Sequence, residues 1–322
     1  AAARAGSGAG AIQRVQTQWA LANIRMHQGE MEQAVQDMDA CRAEYMRLER
    51  RPEAVQDPGV MCLCYSAWSL WQLGFPDEAR DRVHAVVAHA EQIQHKFSIG
   101  EAYGFRAAVL HFRGENRQAL ASAGHAVRIC EENGFAVWLA HARVMRGRIA
   151  ADLGDVAAGV EEMRQGQASW TDSGAVVTTP FYLAMRAEGH ALEGHPEVGL
   201  ALLEQALEIV NRTGERYYEA EIRRLTGQLT LDCAVRAGLD RAAEAEDWMR
   251  QGLECARVRK LASLALRATT GLADLWHDHG LTGDAIAALS AACREIEGGA
   301  GTRDVVNAQA RLARMRSALE VG

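Results

Sequence analysis

One cluster of potential metal ligands stands out in the segment 273–280, which reads ADLWHDHG. Asp274 and His277 are three residues apart, so on a helix they share a face, and both residue types bind zinc. The cluster also ends a helical pattern just before a glycine, where the helix dipole alone favours histidine. We therefore favour a solvated helix end over a zinc site, and the sequence predicts no bound metal.

The sequence contains no recognisable catalytic motif. The phosphate-binding loop GxxxxGK[ST] is absent, and so are paired metal-binding aspartates in a strand–helix–strand context. No Ser/His/Asp or Cys/His arrangement can be assembled from local sequence. We therefore predict that the chain is not an enzyme and carries no cofactor. A helical enzyme without a known motif stays open as an alternative.

Charged and aromatic side chains are the other groups that could recognise a partner. Glu219 and Arg223 have the spacing of a stabilising helical ion pair. This spacing fits either a charged helix that locks two repeats together or a polar contact surface. Trp19, Trp68 and Trp71 lie early in the chain. Burial in the core is the usual place for an indole ring, and an exposed aromatic patch for a partner is the alternative.

Composition excludes several classes of protein. The chain has 322 residues, of which 48% are hydrophobic and 24% charged, and it has only five prolines, so a helical globular fold is favoured. The net charge of −7 argues against direct binding to nucleic acid. No apolar run is long enough to span a membrane. The seven cysteines are scattered without a CxxC motif, which predicts free thiols in a reducing cytoplasm.

These side chains must be positioned by a repeated element, because glycines interrupt the helical patterns at a nearly fixed spacing. The intervals are 45, 40, 40, 40 and then 86 residues, the last being two repeats, between Gly29, Gly74, Gly114, Gly154, Gly194 and Gly280. The missing turn falls near Gly238. Small residues stand seven positions before and five and twelve after each glycine, with Val86 the exception. Glycine ends a helix, and small residues let two helices approach closely, so each repeat is a helix pair.

One helix pair cannot bury its own apolar face, so the pairs must stack into a solenoid. We predict an all-α fold of about seven antiparallel pairs and a C-terminal capping helix at 302–319. The pairs fall near 12–48, 59–94, 98–133, 135–173, 175–213, 215–258 and 261–297. Together they form a single domain, 12–320, after a flexible low-complexity segment, 1–11. A linker is predicted near 49–58, where two prolines stop helix formation.

The small-residue spacing resembles the tetratricopeptide repeat (TPR), whose usual period is 34 residues. Here the period is about 40 to 45, so each helix is longer by nearly one turn. The resemblance implies a right-handed α-solenoid in which the first helix of each pair lines the concave face.

Three segments, 65–80, 212–231 and 261–276, resemble the C-terminal helical-repeat region of large bacterial signalling ATPases, and the likeness covers about 59–315. The resemblance implies an upstream STAND-type AAA+ ATPase module, preceded by a class III nucleotide cyclase or a winged-helix domain. It also implies contact between that module and this array. The tail at 294–306 departs from the family pattern, because it lacks the aromatic residues that are usual there.

Counting back from each turn glycine gives the side chains that would face the concave surface. This surface is apolar and aromatic at first and becomes polar later along the chain. Its candidate ligand- or partner-binding residues are Trp19, Asn23, Trp68, Trp71, Glu101, His111, His141, Arg148, Phe181, Glu188, Arg267 and Asp274.

Two functional hypotheses follow from this surface. The first is a non-catalytic protein-interaction and regulatory scaffold that binds a protein or peptide in the concave groove. The second is a sensor domain that binds a small effector in the same groove. A deep cavity lined by polar groups would favour the sensor, and an open groove with exposed aromatic residues would favour the scaffold.

Overall fold

The computed structural model describes residues 2–48 and 55–321, with side chains for 10–48 and 55–320. Within these ranges the chain is all-helical, with fifteen helices and no strand, as the glycine spacing predicts. The helices are α1 (Ala2–His27), α2 (Met31–Met46), α3 (Pro58–Leu73), α4 (Pro76–Gln92), α5 (Lys96–Arg113), α6 (Asn116–Asn133), α7 (Ala136–Asp152), α8 (Val156–Asp172), α9 (Thr179–Leu192), α10 (Pro196–Thr213), α11 (Glu219–Ala237), α12 (Ala242–Val258), α13 (Ala262–Asp278), α14 (Thr282–Arg294) and α15 (Arg303–Val321).

Consecutive helices form seven pairs, here called units 1 to 7, from α1–α2 to α13–α14, and α15 follows unit 7. The pairs therefore form a TPR-like α-solenoid with a final capping helix. Each turn within a pair contains a glycine with positive φ, a conformation that strains other residues. These are the six glycines from which the period was read, together with Gly238 in unit 6.

The two ends of the first pair differ from the prediction. Helix α1 begins at Ala2, not near residue 12, and the alanines at its start favour helix. Most of the predicted linker, at 49–54, lies outside the described residues. Its last residue, Pro58, is the first residue of α3 and not part of a linker. Proline is favoured at the first helical position because its missing N–H has no partner there anyway, and the Asp57 carboxylate caps this turn by accepting from the Val60 N–H at 3.0 Å.

The small-residue positions mark the places where paired helices touch. In unit 4, an added Cβ at Gly147 would lie 2.5 Å from the Gly159 carbonyl oxygen, and one at Gly159 would lie 2.4 Å from the Gly147 carbonyl oxygen. At the equivalent places, alanines such as Ala107, Ala119 and Ala187 have no exposed surface. These contacts lie at the small-residue offsets that the sequence analysis used.

The array curves until its late units contact its early ones. Ser263 Oγ of α13 donates to the Trp71 carbonyl oxygen at 2.5 Å. The Glu297 N–H, which follows α14, donates to the Gly74 carbonyl oxygen at 2.8 Å. Unit 7 thus packs on the turn of unit 2, nearly two hundred residues away in sequence.

Unit 1 makes a second closing contact, with the segments that precede and follow unit 6. The Arg216 N–H donates to the His27 carbonyl oxygen at 2.6 Å. Lys260 Nζ donates to a carboxylate oxygen of Glu32 at 2.7 Å. Because of these contacts, the inner side of the solenoid is enclosed by first helices from distant units and is not an open trough.

Aromatic rings fill the middle of this inner space. We call them the inner aromatic cluster, and its members are Trp68, Trp71, Phe105, Phe112, Phe181 and Tyr217. The ring of Trp68 lies 4.9 Å from that of Phe181 and 6.0 Å from that of Tyr217, both edge to face. Edge-to-face pairs of this kind add about 0.5–1.5 kcal/mol each beyond the area they bury. The cluster therefore ties units 2, 5 and 6 together across the axis of the solenoid.

Candidate functional site

A charged pocket opens where the inner aromatic cluster ends. Its walls come from the first helices of units 4 to 7, which are α7, α9, α11 and α13, and from one face of α15. Its volume is about 220 Å³. Nine ionisable side chains line it: Arg148, Glu188, Glu221, Arg224, Arg267, Asp274, Arg303, Asp304 and Arg311. Gln228, Thr270, Gly271 and Asn307 complete the lining.

The deepest carboxylate in this pocket is Glu221, which has almost no exposed surface. Its Oε1 accepts from Arg267 Nη1 at 3.1 Å, and Arg224 donates to both of its oxygens at 3.0 Å. Burial acts to raise the pKa of Glu221, but the two guanidinium groups outweigh it and lower that pKa to about 2. Glu221 is therefore ionised and fixes both arginines.

Arg267 joins the charged pocket to the inner aromatic cluster. Its guanidinium carbon lies 4.8 Å from the ring centre of Trp71, within the range of a cation–π contact. Its Nε donates to Asp304 Oδ2 at 2.8 Å, so it also holds α15 against α13. Its Nη2 is buried and has no hydrogen-bond partner.

Arg148 stands on the opposite wall. It pairs with Asp152 one turn further along α7, and its Nη2 lies 3.4 Å from a carboxylate oxygen of Glu188. Its Nε is buried without a partner. Arg303 Nη1 donates to the other oxygen of Asp152 at 3.2 Å, so this carboxylate connects α7 to the start of α15.

His111 lies behind this wall, with Nδ1 3.5 Å from Asp152. Burial, together with the nearby charges of Arg148 and Arg303, lowers the pKa of His111 well below its usual value. The imidazole is therefore neutral at physiological pH. It supports the wall without adding a charge to it.

Four of the twelve predicted concave residues come together in the charged pocket: Arg148, Glu188, Arg267 and Asp274. Asp274 does not share a ligand site with His277, because its carboxylate accepts from Arg311 at 2.7 Å and Arg314 at 3.2 Å. Among the described residues, no group of three metal-ligating side chains forms a potential metal site.

The other predicted residues lie elsewhere. Trp68, Trp71 and Phe181 belong to the inner aromatic cluster, so the usual burial of indole holds for the two tryptophans. Trp19 is half-buried, with its ring 5.1 Å from that of Tyr65. Three more are buried: Glu101, which has no hydrogen-bond partner, His111, described above, and His141, whose Nδ1 lies 2.9 Å from Tyr182 Oη.

Asn23 lines a surface groove of about 310 Å³ between unit 1 and the segments 176–177 and 213–215. His27 lies at the base of this groove and also borders a small aromatic cavity of about 30 Å³. Trp68 Nε1, Trp138 Nε1 and His141 Nε2 line that cavity without hydrogen-bond partners.

The predicted concave residues include none from unit 6, although Glu221, Arg224 and Gln228 of that unit line the charged pocket. Of the offsets 13, 10, 6 and 3 used in the other units, only 10 reaches the pocket from Gly238, at Gln228, so that count does not find Arg224 or Glu221. The capping helix itself was predicted, but its contribution to the pocket was not. Arg303, Asn307 and Arg311 recur every four residues, which places them on one face of a helix.

Comparisons with known proteins add a likeness in fold. No family model matches the chain, and a search of curated proteins gives no match.

No described helix has the length and apolar character needed to cross a membrane.

Several solved structures are similar. A Rap protein complexed with Competence and Sporulation Factor matches with a TM-score of 0.63 and 14% identity, over 96% of this chain and 87% of that one. The Rap conjugation gene regulator of the plasmid pLS20, in complex with the Phr* peptide, also has a TM-score of 0.63, with 10% identity over 95% and 76%. Aspartyl phosphate phosphatase F from Bacillus subtilis has a TM-score of 0.57, with 8% identity over 91% and 72%. At these identities the likeness shows a shared helical-repeat fold and no more.

Proposed function

We propose that this chain is a non-catalytic, TPR-type protein-interaction and regulatory scaffold that binds a segment of a partner protein through the charged pocket. The observation that carries the proposal is the convergence of four first helices and α15 on one pocket lined by nine ionisable groups. Charged side chains are costly to bury, and a structural core would use apolar ones instead.

The size of the pocket supports a segment of a larger partner. Sites that enclose a whole drug-sized ligand usually have volumes of about 300–1,000 Å³. A volume of about 220 Å³ suits a single side chain or chain terminus, with the rest of the partner lying outside. Two structures with a similar fold are complexes with a peptide or a named factor, which gives independent support.

The position of the pocket supports regulation. It spans units 4 to 7, and its wall residue Arg303 is tied to Asp152, three units earlier than α15. A bound group therefore contacts elements whose spacing sets the curvature of the solenoid. Binding and curvature are coupled whenever the ligand prefers one spacing over another.

The experiment is site-specific photo-crosslinking. A benzophenone amino acid at Thr270, on the pocket lining, is expected to crosslink the partner in extract of the native cell, and the same group at the exposed Ala157 is expected not to. Competition by excess unlabelled protein should remove the Thr270 crosslink. Equal crosslinking at both positions would show that the pocket is not the site of contact.

A small effector is the second candidate, because the pocket is enclosed on several sides by charged groups. A thermal-shift panel of charged metabolites tests it. A compound that raises the melting temperature of the wild-type protein but not of Asp274→Asn would favour the sensor. A crosslinked protein without any such compound would favour the scaffold.

The wider setting rests on the resemblance of the repeats to those of bacterial signalling ATPases. We propose that the array is the partner-binding region of a larger ATPase or cyclase and contacts that module. All seven cysteines are free thiols, which fits a cytoplasmic setting. The reading frame upstream of residue 1 in the native gene tests this directly. An upstream frame without an ATPase or cyclase module would reject it.

A further inference from the structure

The charged pocket contains guanidinium nitrogens that have no acceptor, although Asp152 behind its wall pairs with Arg148 and Arg303. Five arginines and four carboxylates line it, and every carboxylate already lies against at least one arginine. We infer that the pocket binds a carboxylate of a partner peptide, supplied by an acidic side chain or a free C-terminus, and holds it on Arg148 and Arg267. This inference rests on the function proposed above and names the group that is recognised.

The first argument compares the hydrogen-bond donors and acceptors of the pocket. Both oxygens of Glu221 accept from guanidinium groups, and Asp304 accepts from Arg267. In contrast, Arg267 Nη2 and Arg148 Nε are buried and have no partner. A guanidinium group can only donate. What the pocket lacks is therefore an acceptor, and buried donors without one are costly.

A positively charged ligand does not fit this arrangement. It would add no acceptor for the two unpartnered nitrogens, and it would have to draw carboxylates away from their arginines. The least constrained carboxylate is Glu188, which has a single contact with Arg148 at 3.4 Å. Even if a cation took Glu188, Arg148 would lose a partner while remaining almost fully buried. Arg148 would then keep Asp152 as its one ion-pair partner, and taking a partner from a buried ion-pair network costs stability.

Geometry favours a carboxylate among anions. Arg224 already holds a carboxylate by two parallel contacts of 3.0 Å, with Nε and Nη2 on the two oxygens of Glu221. The planar fork of arginine matches the planar carboxylate in this way. The volume of about 220 Å³ is sufficient for such a group and the carbon chain that carries it.

Arrays of randomised hexapeptides test the inference. One set carries a fixed Glu, Gln, Lys or phosphoserine at one position, with amidated C-termini. A second set has no fixed residue and either a free or an amidated C-terminus. We expect at least tenfold more protein on the Glu pool than on the Gln pool, or on the free acid than on the amide. The two sets distinguish a side chain from a chain terminus as the source of the carboxylate.

Substitutions in the pocket test whether it causes the preference for a carboxylate. Arg267→Gln is expected to abolish it, but this residue is buried and supports the fold. Arg303→Gln, at a more exposed wall position with one ion pair, is therefore the second variant, with an expected loss of about threefold to tenfold in the preference. Arg250→Gln, an exposed arginine outside the pocket, is the matched control and should leave the preference unchanged. Circular dichroism checks that each variant folds.

The possible results distinguish a failure of the carboxylate inference from a failure of the proposed function. Peptide binding that is equal for Glu and Gln, and equal for acid and amide, overturns the carboxylate and leaves the proposed scaffold standing. A Lys pool or a phosphoserine pool that outbinds the Glu pool also overturns it. Binding that keeps its acidic preference in both pocket variants places the carboxylate elsewhere. The absence of binding to every pool refutes peptide binding itself, and with it the proposed function.

Discussion

Gly147→Ala is the sharpest test of how the paired helices pack. An alanine Cβ at this position would lie 2.5 Å from the Gly159 carbonyl oxygen and 2.9 Å from the Met163 backbone nitrogen. Both atoms belong to the backbone of α8, so no side-chain rotation can relieve the clash. The helices α7 and α8 would have to move apart along the contact that holds unit 4 together.

The magnitude follows from two opposing effects. Glycine inside a helix costs about 0.5–1 kcal/mol relative to alanine, so alanine at an open site is stabilising. Overpacking a tight contact costs about 1–3 kcal/mol, and more when backbone must shift. At Gly147 we expect the second effect to win, with a net loss of about 2 kcal/mol in the free energy of unfolding.

Gly124→Ala is the matched control, because it also lies within a helix and an added Cβ there meets no atom within 4 Å. It should raise the free energy of unfolding by about 0.5–1 kcal/mol. Both variants carry the same gain in helix propensity, so the difference between them isolates the overpacking. Urea unfolding followed by circular dichroism at 222 nm measures it. If Gly147→Ala is as stable as Gly124→Ala, the close approach of α7 and α8 is refuted.

The remaining predictions concern buried side chains. Trp170→Phe should cost about 1 kcal/mol more than Trp138→Phe, because only Trp170 Nε1 donates a hydrogen bond, and urea unfolding compares the two. Burial lowers the pKa of His141 to about 4, so between pH 6.5 and 4 the unfolded chain takes up a proton that the folded chain excludes. Stability should therefore fall on acidification through this window, by up to about 3 kcal/mol, and His141→Gln should flatten a pH series of melting curves. Ala206→Leu should lower the free energy of unfolding by about 1–3 kcal/mol, whereas Ala157→Leu, at an exposed position, should be nearly neutral.

The local fold was predictable because its signals are local. A turn glycine and small residues at fixed offsets describe one helix pair, and the rule holds in six of the seven units, with Val86 as its one exception there; in unit 6 the small residues Ala245 and Gly252 lie two positions further from Gly238. The placement of Gly147 against Gly159, for example, follows from their offsets of seven before and five after the turn at Gly154. Neither position needs any knowledge of distant units.

The closure of the array was not predictable in the same way. It depends on small rotations between successive units, which add up over the chain and leave no periodic trace in the sequence. Trp68 is an example, since its position on a first helix is readable, but its contact with Phe181 crosses three units. Repeat position alone therefore indicates which side chains point inward, but it does not indicate which residues of distant units surround them.

This closure explains why the inner face divides into two chemically different regions. Where units 2, 5 and 6 meet, aromatic rings pack edge to face and leave only the small aromatic cavity between them. Where units 4 to 7 face α15, the lining is charged, and ionised side chains cannot pack as tightly because each needs partners at defined distances. The charged pocket is the space between these ionised side chains, which their partner distances keep apart. Arg267 lies at the border, with its guanidinium group against Trp71 on one side and the pocket on the other. A ligand held there acts on the same residue that joins α13, α15 and the inner aromatic cluster.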